Sequence, residues 1–130
     1  MAYPSPMPVL EALRDLLGAV PGVQTSRIGL EATMTPEDYP IVRIVPSRVG
    51  PSDFISELRA TECLIYFGRP IHEFTDGLEA LYAELFTMEA ALIAALPRSG
   101  DWVAQWRETI TDEDRNDAYK LMALLVQVDG

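Results

Sequence analysis

The feature that most constrains this chain is a strand-length run followed closely by a helix-length run. From Glu57 to Phe67 the residues alternate with a period of two over eleven positions. Such alternation reads as an extended strand, with Leu58, Ala60, Glu62, Leu64 and Tyr66 on one face and Glu57, Arg59, Thr61, Cys63, Ile65 and Phe67 on the other. Polar residues come early and apolar residues late on both faces. This predicts a strand that starts exposed, as in a hairpin arm, and ends buried in a sheet. At about 3.3 Å per residue it would span roughly 35 Å, more than a small domain needs.

Gly68, Pro70 and Thr75 mark a turn after the strand, and Asp76 with Glu79 has capping-box spacing. In the segment DGLEALYAELFTMEAALIAAL, Leu78, Leu81, Leu85, Leu92 and Leu96 recur at helical spacing. Tyr82, Phe86, Met88 and Ile93 widen the stripe. Phe86 and Ile93 fall outside its narrowest part. Either the helix is covered on two sides or that flank meets another subunit. Pro97 ends the helix.

The remaining elements fit around this pair. Ser5 is placed to cap a first amphipathic helix built on Leu10, Leu13, Leu16, Leu17 and Val20, which Pro21-Gly22 stops. Val23 to Leu30 reads as a short strand with a weak point at Gly29, and EATMTPED as a surface loop. YPIVRIVPS reads as a strand bracketed by Pro40 and Pro46, and SRVGPSDF as a projecting loop. After the loop PRSGD, WVAQWRETI alternates, which puts Trp102, Ala104 and Trp106 on one face. The acidic turn TDEDRND leads to AYKLMALLVQV, and the pair reads as an antiparallel hairpin. A helix over 113–125 is the competing reading, because Ala, Lys, Leu and Met favour helix. The expected fold is α+β, a mixed, largely antiparallel sheet with two helices packed on it, in the order α-β-β-β-α-β-β.

A length of 130 residues suits one domain, 1–130, able to bury roughly two-thirds of the surface its unfolded chain exposes. The net charge is −10, with twenty carboxylates against nine Arg and one Lys. The imbalance concentrates in residues 51–96, with eight acids and two bases. Nucleic-acid affinity rests on Lys and Arg neutralising phosphate, so specific nucleic-acid binding is not expected. A solvated acidic helix face is the plain reading; a surface for a basic partner, or one that DNA slides past, is the sharper one. A single cysteine permits no internal disulfide. No leader-like start and no apolar run near ~20 residues is present, which predicts a soluble, cytoplasmic chain without a membrane segment.

The search for chemistry returns little. His72 is the only histidine, so a two-His metal site within one chain is ruled out. Cys63 reads as a small core residue, since a reactive thiolate needs a cation or helix N-terminus beside it. Asp112, Asp114 and Asn116 open like a calcium loop. The match fails at Asp117, where Gly is required, and at Ala123, where Glu is required. Glu57 and Glu62 face opposite sides of the strand and make a poor catalytic pair. No phosphate-binding glycine loop or nucleophile elbow occurs. No catalytic residue, cofactor or metal is expected. Trp102 and Trp106 read as core packing or a hairpin brace, with a protein interface as the alternative.

Four features together resemble the tail terminator and tail-completion proteins of long-tailed bacteriophages. They are the helix LEALRDLLGAV before a strand, and SELRATECLIYFG running into the long helix. A Trp-containing strand, WVAQWRETI, then follows, and TDEDRND leads to the closing apolar strand. The resemblance implies a non-enzymatic protein that forms a hexameric ring, caps the tail tube, stops its polymerisation and meets the head–tail connector. Its place would be the virion tail, assembled in the host cytoplasm. Its partners would be its own copies, the tail tube protein and the connector protein. No shared motif fixes functional residues, so the candidate subunit or partner contacts are Arg59, Phe86, Ile93, Trp102 and Trp106. The alternative is a small acidic monomeric binding module, of immunity or inhibitor type, covering a basic protein. An enzyme with a carboxylate site ranks behind both.

Overall fold

The computed structural model describes residues 4–29, 40–53, 58–70, 77–115 and 119–130. In chain order the elements are α1 (Met7–Gly18), β1 (Thr25–Ile28), β2 (Ile41–Pro51), β3 (Arg59–Pro70), α2 (Leu78–Ala95), β4 (Val103–Arg115) and β5 (Tyr119–Asp129). The five strands form one sheet in the order β1-β2-β3-β5-β4. β1 lies parallel to β2, and every other pair is antiparallel. The class and element order are those expected from the sequence. Residues 119–129 are strand, which settles that part of the helix alternative.

Both helices pack on the same face of the sheet. Leu10, Leu13 and Leu17 of α1 and Leu81, Leu85, Met88 and Leu92 of α2 meet Val42 and Ile44, Cys63, Ile65 and Phe67, and Met122, Leu124 and Val126. Each such fully buried aliphatic chain contributes about 1.5–3 kcal/mol, which fixes the helices to the sheet. The anchoring stripe of α2 differs from the expected one at its first turn. Leu78 is exposed and Met88 takes a core place. The helix starts after Gly77, at φ +101°, without a side-chain cap; Asp76 lies outside the described residues. At α1 the cap position is Pro6, while Ser5 Oγ accepts from the Met7 N–H at 3.2 Å.

The opposite face of the sheet is also covered. Ile41, Arg43, Leu121 and Ala123 are buried there, and Val45, Leu64, Tyr66 and Leu125 are half-buried. Burial on both faces accounts for the apolar runs in β2 and β5, where strict alternation would be lost. At Gly68 the sheet leaves no room for a side chain. A Cβ there would stand 2.5 Å from both the Leu121 Cδ2 and the Lys120 carbonyl oxygen.

Two local expectations are corrected. Pro46 does not end β2. Pro46 pairs with Cys63 and Arg48 with Glu62, which leaves Ser47 as an extra residue at a bulge. A bulge tolerates the missing N–H of proline, so the strand continues to Pro51 where a projecting loop was expected. Ser47 Oγ donates to the Glu62 carbonyl at 3.1 Å and closes the irregularity. The polar start of β3 is likewise no free arm. Ala60 pairs with Gly50 on one side and Asp129 on the other.

Candidate protein-contact surface

At 3.6 residues per turn, Leu78, Tyr82, Phe86, Glu89 and Ile93 fall within an arc of about 80° on one flank of α2. Leu78, Tyr82 and Phe86 are 42%, 36% and 44% exposed, although all three are large and apolar. The Tyr82 and Phe86 rings stack, with centroids 6.4 Å apart and planes inclined by 28°. The Lys120 ammonium, buried on β5, lies 6.0 Å from the Tyr82 ring centre.

The band runs toward a cleft of about 550 Å³ between the C-terminal end of α2 and the start of β4. Ile93, Leu96, Val103, Ala104 and Trp106 form its apolar part. Trp106 sits opposite Val126, on the helix-bearing face of the sheet, yet remains 46% exposed. Its Nε1 donates to Thr109 Oγ1 at 3.0 Å, which fixes the ring without burying it. Solitary exposed hydrophobics are ordinary; a contiguous aromatic band beside a cleft makes this the candidate contact surface.

The sequence-level candidates therefore separate. Phe86, Ile93 and Trp106 belong to the band and its cleft. Trp102 lies on the same helix-bearing side as Ala104 and Trp106 but differs from Trp106 in burial. It precedes β4, is half-buried and packs against the core. A Cβ built on Gly130 would come within 2.7 Å of the Trp102 Cβ and 3.0 Å of Val9 Cγ2, so its neighbours are α1 and the chain end. Arg59 is also half-buried and lies in the sheet, its carbonyl accepting from the Gly130 N–H at 3.0 Å. Periodicity missed Leu78 and Tyr82 as surface residues, because both sit beside the anchoring leucines in the helical count.

A polar network occupies the end of the other sheet face. Arg107 donates to Gln127 Oε1 at 2.7 Å, and Gln127 Nε2 donates to Asp129 Oδ2 at 3.1 Å. Ser52 Oγ donates to Asp129 Oδ1 at 2.9 Å. Arg48 and Glu62 approach at 3.8 Å nearby and stay partly solvated, so that pair adds little. These groups are engaged with one another and tie strand ends together.

Both sheet edges are guarded. β1 has four residues. On β4 the Ala104 N–H donates to the Pro97 carbonyl at 2.9 Å, and register shifts follow Trp106 and Ile110. Short strands, bulges and charges are what keep edges from pairing with other chains.

Among the described residues no group of three or more His, Cys, Asp or Glu could hold a metal ion, and no helix is long and apolar enough to cross a membrane. Cys63 is fully buried, and desolvation pushes its thiol up to about 12. It is a core residue with no thiolate to offer. His72, Glu57, Asn116 and Asp117 lie outside the described residues. No protein-family model matches the chain, and no curated protein matches it either.

Proposed function

We propose that this chain is a structural assembly protein of a long-tailed phage or prophage. In this reading it forms a ring, hexameric by the resemblance set out above, that caps the tail tube, ends its polymerisation and joins the tail to the head connector. The observation that carries the reading is the exposed band of Leu78, Tyr82 and Phe86 leading into the Trp106 cleft. Contiguous exposed apolar patches of this kind are enriched at surfaces that partners cover. The net charge of −10 suits a ring whose lumen DNA must cross without adhering. Light scattering combined with negative-stain imaging of the purified protein tests the ring. Six-fold particles support it, and a strict monomer that never associates with tube protein removes it.

One observation favours the second reading, a monomeric acidic module that covers a basic protein. α2 carries Glu79, Glu84 and Glu89 and no basic residue. That reading requires a stable monomer and tight, salt-sensitive 1:1 binding.

A further inference from the structure

We propose that the exposed flank of α2 on one copy of this chain seats in the cleft between the end of α2 and the start of β4 on the next copy. The contact is head-to-tail. It rests on the assembly reading and adds to it the seam between subunits.

The flank combines apolar surface with negative charge that nothing answers. At 3.6 residues per turn, Glu89 falls between Leu78 and Tyr82 around the helix, and Glu79 falls just past Phe86. Among the described residues neither glutamate is paired with a cation. Glu84, the third acid of α2, lies on another side and approaches Arg69 at 4.0 Å. The two acids left without a cation are therefore the two that lie with Leu78, Tyr82 and Phe86.

The cleft has the opposite character. Ile93, Leu96, Val103 and Trp106 give it apolar walls, and Arg98 and Arg107 are its only charged lining. Arg98 is exposed and pairs with no acid among the described residues. Arg107 is exposed as well, and it donates to the neutral Gln127 side chain, which leaves its charge uncompensated there. On a chain with twice as many acids as bases, a cleft lined by two cations and no acid is a local reversal of sign.

These charges select which surfaces can meet. Flank on flank would bring glutamates to glutamates, and cleft on cleft would bring arginines to arginines; like charges across a contact oppose association. Flank in cleft sets apolar surface on apolar surface and acids beside cations. Phe86 and Trp106, both exposed in the single chain, become the aromatic anchors of that contact. The two patches sit toward opposite ends of α2, with Tyr82 and Leu96 about 21 Å apart along its axis. One copy can therefore offer its flank to one neighbour and its cleft to another. A contact between two different patches is heterologous, and it makes a ring when its rotation closes.

Two double variants test the seam. Phe86→Ser with Glu89→Gln removes the flank, and Arg98→Gln with Trp106→Ser removes the cleft. Thermal melts check that both fold. Sedimentation velocity, with and without tail tube protein, is run on wild type, on each variant and on their equimolar mixture. The proposal expects rings from wild type and monomers from each variant alone. The mixture should give one-to-one dimers that grow no further, because only one of its two contacts is intact. Rings from either variant or from the mixture overturn the proposal, and so does a mixture of folded variants that stays monomeric. Glu89→Gln and Arg98→Gln taken singly remove charge and leave packing, so they decide the matter where a serine variant does not fold. Each should raise the protein concentration at half-assembly by about threefold; no change in either overturns the proposal. A wild type that stays monomeric in both conditions removes the assembly reading as well, whereas rings that survive the substitutions remove this seam alone.

Discussion

The Tyr82 and Phe86 rings stack on each other at 6.4 Å on the outside of the domain, not in its core. Two aromatic side chains one turn apart are thus turned away from a core that closes without them. The core leucines of the same helix, Leu81 and Leu85, are at most 1% exposed. The buried and the exposed aromatic sides of α2 are thus distinct, and substitutions on them should have different effects on stability.

Replacing Phe86 with Ser is expected to leave folding stability within about 0.5 kcal/mol of wild type, because the ring has no buried partner to lose on the core side. Replacing Leu85 with Ala should cost about 2–5 kcal/mol. Urea denaturation of the two variants measures the contrast. A large loss for Phe86→Ser would place the ring in the core.

Gly68→Ala is expected to destabilise by about 1–3 kcal/mol, since its Cβ would meet the Lys120 carbonyl and the strands must shift. A thermal melt reads this as a lowered midpoint. An unchanged midpoint would mean that β3 and β5 are farther apart than described.

Cys63 supplies a pH signature. Its thiol is raised to about 12 in the folded chain by burial, above the ordinary value of 9.0. The folded state therefore keeps a proton that the unfolded state releases, so stability is whole below pH 9 and falls between about 9 and 12. The slope is about 1.4 kcal/mol per pH unit in that window. Cys63→Ala should remove this part of the slope. Native protein should also resist a thiol reagent at pH 8 and react on unfolding.

Much of this arrangement is legible in the sequence, and the exceptions share a cause. The two helices, β3 and β4 are written in periodicity, which local side-chain direction enforces. β5 was ambiguous because it is paired on both sides and buried on both faces, which removes the alternation that identifies a strand. Pro46 reads as a stop unless the bulge at Ser47 is known, and a bulge depends on the partner strand. The apolar surplus at Phe86 could be read from the helical count. The different burial of Trp102 and Trp106 on that one side could not, because it depends on the packing of Val9 and Gly130 around the first ring. That β1 runs parallel to β2 is a matter of topology that no local pattern records.

Asp129 accepts from Ser52 and from Gln127 and is fully buried. Asp129→Ala strands both donors and should cost about 1–3 kcal/mol, with Ser52→Ala costing less. A double-mutant cycle between the two positions should give a coupling of at least about 0.5 kcal/mol. Zero coupling would mean that the ends of β2 and β5 are not joined through this contact.

The central claim is that the chain ends tube growth, and polymerising tail tube protein from the same phage or prophage tests it most directly. Tube lengths are measured by electron microscopy with and without this chain added during assembly. The account predicts that growth stops at a defined length, with a six-fold ring seated on one tube end. Tubes of unchanged length with bare ends, and a chain that stays monomeric beside them, would contradict it.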